Sequence, residues 1–290
     1  MNRGPVKSTE DIELDLLLEA VWQRYQYDFR GYASSSLRRR AARAQQHFGC
    51  ATLSLLQHRL LHEPAILPEF LAFLTIHVSE MFRDPSYFRA LREQVVPHLK
   101  TYPSLKIWVA GCSTGEELYS LAILFREEGL EARTIFYATD ISPAALKKAE
   151  AGIYGLDRIP LFTENHRQSG GKSSLSDYYT AAYGAAVFDK TLRSRTLFAE
   201  HSLVSDAVFS EIHLLSCRNV LIYFDRNLQD RALGLFRDSL VRGGFLGLGA
   251  KESLRFSAHS EAFADFAPAE RIYRAGIARP AGKELAHAVG

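Results

Sequence analysis

The sequence has 290 residues, of which 47% are hydrophobic and 23% charged, and its formal net charge is +2. This composition is typical of a globular protein with one or two domains, and it excludes a mostly disordered chain. No apolar run approaches the roughly eighteen residues of a transmembrane helix. The first residues lack the apolar core of a signal peptide, and the near-neutral charge does not favour a nucleic-acid partner. We therefore expect a cytoplasmic protein without membrane insertion.

The first part of the chain has helical spacing. Ser8-Thr-Glu-Asp11 is typical of a capping box at a helix start, and apolar residues follow at intervals of three and four. Further helices are predicted over residues 34–49, 52–62 and 67–76. Residues 8–76 are therefore expected to form an all-α domain. Within it, residues 21–60 carry seven arginines against one acidic residue.

From about residue 104, short apolar runs alternate with helical stretches. The runs predicted as strands are Leu105–Ala110, Thr134–Thr139, Ile212–Ser216 and Phe245–Leu248, and the helices between them are Glu116–Glu128 and Pro143–Ala151. Such alternation predicts an α/β fold with a parallel sheet and helices on both faces.

Two stretches interrupt this alternation. Asp177–Phe188 and Thr191–Phe198 predict a small antiparallel insert near residues 175–199. The expected organisation is a linker over 77–103, an α/β domain over 104–276 and a tail over 277–290.

Polar residues follow the first predicted strand, where ligands of doubly wound sheets bind. The sequence there is Gly111-Cys-Ser-Thr-Gly115-Glu-Glu117. Glycines allow the backbone to approach a ligand closely. The glutamates would repel a phosphate at a helix start, so they favour a cationic or hydroxyl-rich ligand. An ordinary tight turn, with acids favoured by the helix dipole, explains the same residues.

The next predicted strand ends at Asp140. An acidic residue at this position commonly accepts hydrogen bonds from ribose hydroxyls. The alternative is that Asp140 caps the helix that begins near Ser142.

Two further motifs allow two interpretations each. Asn219 and Tyr223 are four residues apart, so a helical turn would place them on one side, but loop packing is the alternative. Arg83, beside Asp84, is either half of a surface ion pair or a clamp for a carboxylate.

Cys217 has no activating neighbour and is interpreted as a small spacer rather than a nucleophile.

Five segments together resemble the CheR-type chemotaxis protein methyltransferases. They read MFRDPSYF, WVAGCSTGEELYS, YATDISPAALKKAEAGIY, SCRNVLIYFD and GGFLGLGAKESL. The resemblance implies a Rossmann-like methyltransferase domain with a small antiparallel β-subdomain insert, preceded by an all-α N-terminal domain. It also implies an enzyme that transfers a methyl group from S-adenosylmethionine to glutamate side chains of bacterial chemoreceptors or related sensor proteins, leaving S-adenosylhomocysteine.

The resemblance also implies roles for individual residues. Arg83 and Tyr223 match the active-site arginine and tyrosine. The implied cofactor-binding residues are His77, Ser79, Arg83, Gly111, Glu117, Asp140, Ser202, Leu203, Cys217 and Arg218. His77 and Ser202 stand where the family usually has asparagine, and Ser79 where it has threonine. No metal is implied.

The arginine cluster has two interpretations, a solvated helix face or a surface that attracts acidic receptor helices. It consists of Arg38, Arg39, Arg40 and Arg43, and the resemblance favours the receptor surface. The β-insert has the position of the family's receptor tether, and an edge strand can recruit an extended peptide.

Other functions predict other residues. A non-catalytic S-adenosylmethionine-binding signalling adaptor would keep Asp140 and the glycine turn but could lose Arg83 or Tyr223. A nicotinamide oxidoreductase would have GxGxxG, which is missing. A nucleic-acid amino-methyltransferase typically has an Asn/Asp-Pro-Pro-aromatic box, where this chain has Cys217-Arg-Asn-Val.

Overall fold

A computed structural model describes residues 7–75 and 79–276 of the chain. The N-terminal helices are α1 (Thr9–Tyr25), α2 (Ser34–His47), α3 (Leu53–His62) and α4 (Leu67–Leu74). Ser8 caps α1, because its side chain accepts a hydrogen bond from the Asp11 amide at 3.1 Å. These helices enclose an apolar core of their own, in which Leu17, Phe29 and Leu56 are fully buried.

The rest of the described chain forms two sheets. The strands are β1 (Leu105–Ala110), β2 (Thr134–Asp140), β3 (Ile153–Gly155), β4 (Tyr179–Ala182), β5 (Ala185–Phe188), β6 (Thr196–Glu200), β7 (Ile212–Cys217), β8 (Leu240–Leu248), β9 (Phe263–Ala267) and β10 (Ile272–Ala275). Within the described residues, the larger sheet has the order β6-β2-β1-β7-β8-β10-β9. Strands β6, β2, β1, β7 and β8 are parallel, whereas β10 and β9 are antiparallel. This architecture confirms the predicted fold class.

Helices cover both faces of the larger sheet. They are α5 (Pro85–Ala90), α6 (Val96–Leu99), α7 (Glu116–Glu127), α8 (Pro143–Ala151), α9 (Ile159–Gln168) and α10 (Arg226–Ser239). Because successive side chains of a strand point to opposite faces, Ile107 and Val109 belong to one apolar cluster and Trp108 to the other. The sheet is therefore buried on both sides, as expected for parallel strands.

The predicted linker over 77–103 differs from the structure. A turn of π-helix at Leu91–Val95 joins α5 to α6, so most of this segment is helical. Phe88 and Val95 are completely buried in the same cluster as β1. The segment is thus part of the α/β core, because its apolar residues follow helical spacing.

The predicted insert is also corrected. The small antiparallel sheet has the order β3-β5-β4, so it includes Ile153–Gly155, outside the predicted range. The prediction that Thr191–Phe198 belongs to the insert is wrong, because β6 pairs in parallel with β2 from Phe136↔Thr196 to Asp140↔Glu200. Parallel pairing uses no local hairpin, so the sequence around β6 gives no turn signal for its partner.

None of the helices in residues 7–75 and 79–276 is both long and apolar enough to cross a membrane.

Candidate functional site

A cavity lies at the carboxyl ends of β1, β2 and β7. Strand β1 pairs with β2 on one side and with β7 on the other, so the cavity occupies the point where the strand order reverses. The predicted site residues that line it are Ser79, Arg83, Gly111, Glu117, Asp140, Ser202, Leu203, Arg218 and Tyr223. Cys217 is fully buried and does not line the cavity. His77 lies outside the described residues.

Asp140 ends β2 with its carboxylate held by two backbone amides. One oxygen accepts a hydrogen bond from the Ser113 amide at 2.9 Å and the other from the Ser142 amide at 2.9 Å. Ser142 itself caps α8 through the Ala145 amide, so the alternative in which Asp140 is the cap is wrong. These two amides fix the orientation of the carboxylate at the end of β2.

Glu117, in the first turn of α7, belongs to a chain of polar groups. Its carboxylate accepts from the Ser216 hydroxyl at 2.6 Å and from the Arg218 guanidinium at 3.2 Å. The Tyr87 ring lies under the same guanidinium, 4.1 Å from its central carbon. Burial, followed by the charge of Glu117, raises the pKa of the Tyr87 phenol, so this hydroxyl stays protonated.

Arg218 links this chain of groups to the turn that carries Arg83. Its guanidinium donates to the Arg83 carbonyl at 2.9 Å and to the Asp84 carboxylate at 2.7 Å. Phe82 and Asp84 have left-handed backbone angles of φ 52° and 55°, a conformation that costs energy in residues other than glycine. The Ser120 hydroxyl accepts from the Phe82 amide at 2.7 Å. The turn is therefore held in a strained shape by buried polar contacts from two sides.

Tyr223 lies on a loop that is organised around a buried carboxylate. Glu252 accepts hydrogen bonds from the amides of Asn219 at 3.0 Å and Val220 at 2.9 Å, and from that of Gly249 at 2.6 Å. Burial raises the pKa of Glu252, and backbone hydrogen bonds from Gly249 and Asn219 oppose the rise. Since an unsatisfied buried amide is costly, Glu252 fixes the path of the backbone that leads to Tyr223.

The N-terminal helices supply one wall of the cavity, which the sequence analysis did not predict. Tyr32 and Arg40 both line it. The backbone of this region meets the Tyr223 loop directly, because the Ala33 amide donates to the Tyr223 carbonyl at 2.8 Å and the Asp225 amide to the Gly31 carbonyl at 2.8 Å.

Arg40 is the cationic group of this wall. It is only 5% exposed, and its guanidinium carbon lies 4.9 Å from the centre of the Tyr223 ring. One terminal nitrogen donates to the Leu74 carbonyl, while Nη2 has no hydrogen-bond partner among the residues described. Burial lowers the pKa of this guanidinium.

The burial of Arg40 corrects the predicted arginine surface. Arg38, Arg39 and Arg43 are exposed, but Arg40 faces inward and cannot contribute to a solvated face. A signal for this existed in the sequence: Arg40 lies three residues after Leu37 and four before Ala44, both buried on α2, so helical spacing places it on the apolar face.

The cavity suits a ligand with a nucleoside part and a positively charged part. Carboxylates at Glu117 and Asp140 disfavour a phosphate, and apolar side chains of Ile141, Leu203 and Phe224 provide contact area for a ring. Gly111 (φ 70°) lies so close to Val220 that a Cβ atom there would be 2.5 Å from Val220 Cγ2. Only glycine fits at this place without moving the wall of the cavity.

Comparison with protein families gives two matches that cover most of the chain. The model described as "CheR methyltransferase, all-alpha domain" matches residues 12–75, and the one described as "CheR methyltransferase, SAM binding domain" matches residues 77–268.

Two relatives are matched over most of their own length. A Pseudomonas putida protein named "Putative methyltransferase Cher3" is 55% identical over 264 residues, which are 91% of this chain and 97% of the relative. A "Chemotaxis protein methyltransferase" of Listeria innocua is 34% identical over 197 residues, 67% of this chain and 72% of the relative.

A solved structure of the glycopeptide N-methyltransferase MtfA with sinefungin aligns with a TM-score of 0.32 and 10% identity. The alignment covers 53% of this chain and 47% of that protein.

Proposed function

Because this chain belongs to the CheR methyltransferase family, we propose that it methylates glutamate side chains of chemoreceptors or related sensor proteins in the cytoplasm, which gives glutamate methyl esters. The observation that carries the proposal is the cavity that brings Arg83 and Tyr223 together with Glu117 and Asp140. Arg83 and Tyr223 suit an incoming carboxylate, whereas Glu117 and Asp140 suit a cationic cofactor that carries hydroxyl groups.

The cofactor is S-adenosylmethionine, and both the family resemblance and this cofactor are confirmed by the matched domain. When bound, it supplies a sulfonium methyl group, whose carbon–sulfur bond breaks as a carboxylate oxygen bonds to the carbon, leaving the electron pair on a neutral thioether. Asp140 is placed to accept hydrogen bonds from ribose hydroxyls. Glu117 is placed to accept from the amino group or to balance the positive charge.

The reaction requires orientation rather than proton transfer. A glutamate side chain has an ordinary pKa near 4.3, so it is already an anion at neutral pH and needs no general base. Holding reactants in line can lower a barrier by roughly 7–11 kcal/mol. Arg83 and Tyr223 are therefore proposed to hold the substrate carboxylate.

Two further residues are proposed to position Arg83 and Tyr223. Arg218 binds both the Arg83 carbonyl and the Asp84 carboxylate, so we propose that it fixes the Arg83 turn rather than contacting the cofactor. Arg40 packs on the Tyr223 ring, and we propose that it sets the orientation of this ring.

The proposed partner surfaces lie outside the cavity. Arg38, Arg39 and Arg43 give α2 an exposed cationic side, which would attract acidic receptor helices. The small sheet β3-β5-β4 is proposed as a receptor tether, because β4 is an edge strand that an extended peptide can join.

Transfer of labelled methyl groups tests the function. Wild-type protein with methyl-labelled S-adenosylmethionine should label purified chemoreceptor cytoplasmic fragments, and mild base should release the label as methanol. Replacing the methylatable glutamates by glutamine should abolish labelling. Binding of the cofactor with no transfer to any fragment would contradict the proposal and favour the adaptor.

Arg83→Ala tests the proposed carboxylate clamp. Loss of a charge-assisted contact at the reacting group should reduce the methylation rate by about a hundredfold or more. Arg89→Ala is the control, because Arg89 is exposed on the neighbouring helix α5 and should keep the wild-type rate. A rate for Arg83→Ala within a few-fold of wild type would show that the clamp is assigned to the wrong residue.

A further inference from the structure

An exposed aromatic residue lies beside the loop that carries Tyr223. Phe256 has 86% of its surface exposed, and Ile222, one residue before Tyr223, has 38% exposed. Exposed apolar side chains that occur singly need no explanation, but Phe256 is accompanied by cations. The Arg226 guanidinium carbon lies 5.8 Å from the centre of the Phe256 ring. We call Ile222, Arg226, Lys251, Arg255 and Phe256 the Phe256 surface.

The Phe256 surface is attached directly to the active-site loop. Glu252, which follows Lys251, accepts hydrogen bonds from the Val220 amide at 2.9 Å and the Ile222 amide at 3.4 Å. The Ser257 hydroxyl donates to the Asp230 carboxylate of α10 at 2.6 Å. The segment that presents Phe256 is therefore anchored to the Tyr223 loop on one side and to α10 on the other.

Three of the five residues of the Phe256 surface are cations. Arg226, Lys251 and Arg255 are exposed, and none of them forms a salt bridge with any residue in the described ranges. Asp225 accepts from the Leu228 amide at 2.9 Å and Asp230 from the Ala258 amide at 2.8 Å, and neither carboxylate forms a salt bridge with these three cations. The cations are free to meet an acidic partner.

We propose that the Phe256 surface binds the acidic protein segment that flanks the target glutamate; this rests on the proposed function. The target carboxylate is part of a folded protein, so the chain on either side of it must pass over the residues that border Tyr223. Phe256 supplies apolar contact area and the three cations supply charge complementarity. This surface contains no residue of α2, so it is separate from the arginines proposed there as a receptor surface.

The test measures receptor affinity separately from catalysis. The variants are Phe256→Ala and Lys251→Glu/Arg255→Glu in the full chain, with Leu16→Ala and Arg242→Glu as controls. Leu16 is 52% exposed on α1. Arg242 is exposed near the start of β8, which is the end of this parallel strand opposite to the cavity. Initial methylation rates are recorded against the concentration of a chemoreceptor cytoplasmic fragment, at low and moderate salt, and calorimetry gives the affinity for S-adenosylmethionine.

Both surface variants should raise the KM for the fragment about tenfold or more. Their kcat and their affinity for S-adenosylmethionine should stay within about twofold of wild type, as should all values of the controls. The charge-reversed variant should also lose the rise of KM with salt that the wild type shows.

Three outcomes overturn the proposal. Wild-type KM values in both variants would show that the surface does not contact the substrate, while methylation itself remains established. Equal losses of kcat and cofactor affinity would show that the segment only supports the site. Binding of a double-stranded oligonucleotide that the same variants abolish would show that the surface recognises phosphates. If the wild type methylates no fragment, the proposed function is wrong, and the proposal for the Phe256 surface, which rests on it, is wrong as well.

Discussion

Single residues with unusual backbone angles surround the cavity. Phe82, Asp84, Ser113 and Asn219 all have positive φ, and none of them is glycine. Such residues are sparsely populated because of steric strain, and they persist only where surrounding contacts hold them. Two buried side chains supply such contacts. Arg218 donates to the carbonyl of Arg83, which lies between Phe82 and Asp84, and Glu252 accepts from the Asn219 amide. Rigid support of this kind is what orientation-dependent catalysis requires.

Arg40→Met tests the positioning of Tyr223. Methionine keeps an apolar stem in the buried space but removes the cation from the ring, an interaction worth up to about 2 kcal/mol when desolvated. We expect kcat to fall about tenfold or more, with a change of less than threefold in the affinity for S-adenosylmethionine. Steady-state methylation kinetics and calorimetry measure the two quantities.

Arg24→Met controls for lost charge in the same domain, because Arg24 is exposed on α1. Arg40→Lys should recover part of the lost kcat, since lysine restores a cation over the ring. A kcat for Arg40→Met equal to that of Arg24→Met would show that Arg40 has no part in orienting Tyr223.

A buried ionic cluster joins three helical segments of the α/β domain. Glu127 of α7 binds the Arg92 guanidinium and accepts from His166 of α9 at 3.0 Å. Burial alone would raise the pKa of Glu127, but the His166 hydrogen bond and the Arg92 charge outweigh it and lower the pKa to about 2. The ionised form is thus favoured in the folded protein.

This lowered pKa predicts a loss of stability in acid. The contribution is fully present above the ordinary glutamate pKa of 4.5 and disappears as the pH falls toward the folded pKa of about 2. The free energy of unfolding, from urea titrations, should therefore fall over this range in the wild type. Glu127→Gln should be less stable at neutral pH and should show a shallower fall. Parallel curves for the two proteins would contradict the assignment.

Local elements were predictable from the sequence, whereas their partners were not. Helix α8 has the predicted bounds, Pro143–Ala151, because a capping serine, an N-terminal proline and a C-terminal glycine all lie within a few residues of these bounds. Strand β6 was assigned to the wrong sheet, since its pairing with β2 depends on residues some sixty positions away. Within the site, Asp140 and Glu117 follow strand ends and could be found, but Arg40 reaches the cavity only through the packing of one domain on another.

The two domains both contribute residues to the cavity proposed as the active site. The Gly31–Ala33 segment pairs with the backbone around Phe224, so the N-terminal helices close the cavity and brace Tyr223 together. A Cβ atom at Gly31 would lie 3.0 Å from Leu228 Cδ2 on α10. The absence of a side chain at this position therefore allows the domains to approach each other closely.

Gly31→Val tests whether this close approach is required. Overpacking costs about 1–3 kcal/mol, which here would be relieved by moving the N-terminal helices away from α10. Since that motion displaces Tyr32, Arg40 and the Tyr223 loop together, we expect the affinity for S-adenosylmethionine and kcat to fall jointly, each by about tenfold. Ala42→Val enlarges a side chain at an exposed position of α2 and should leave both unchanged. A Gly31→Val protein with normal cofactor affinity but reduced kcat would show that the domain contact orients Tyr223 without shaping the cofactor cavity.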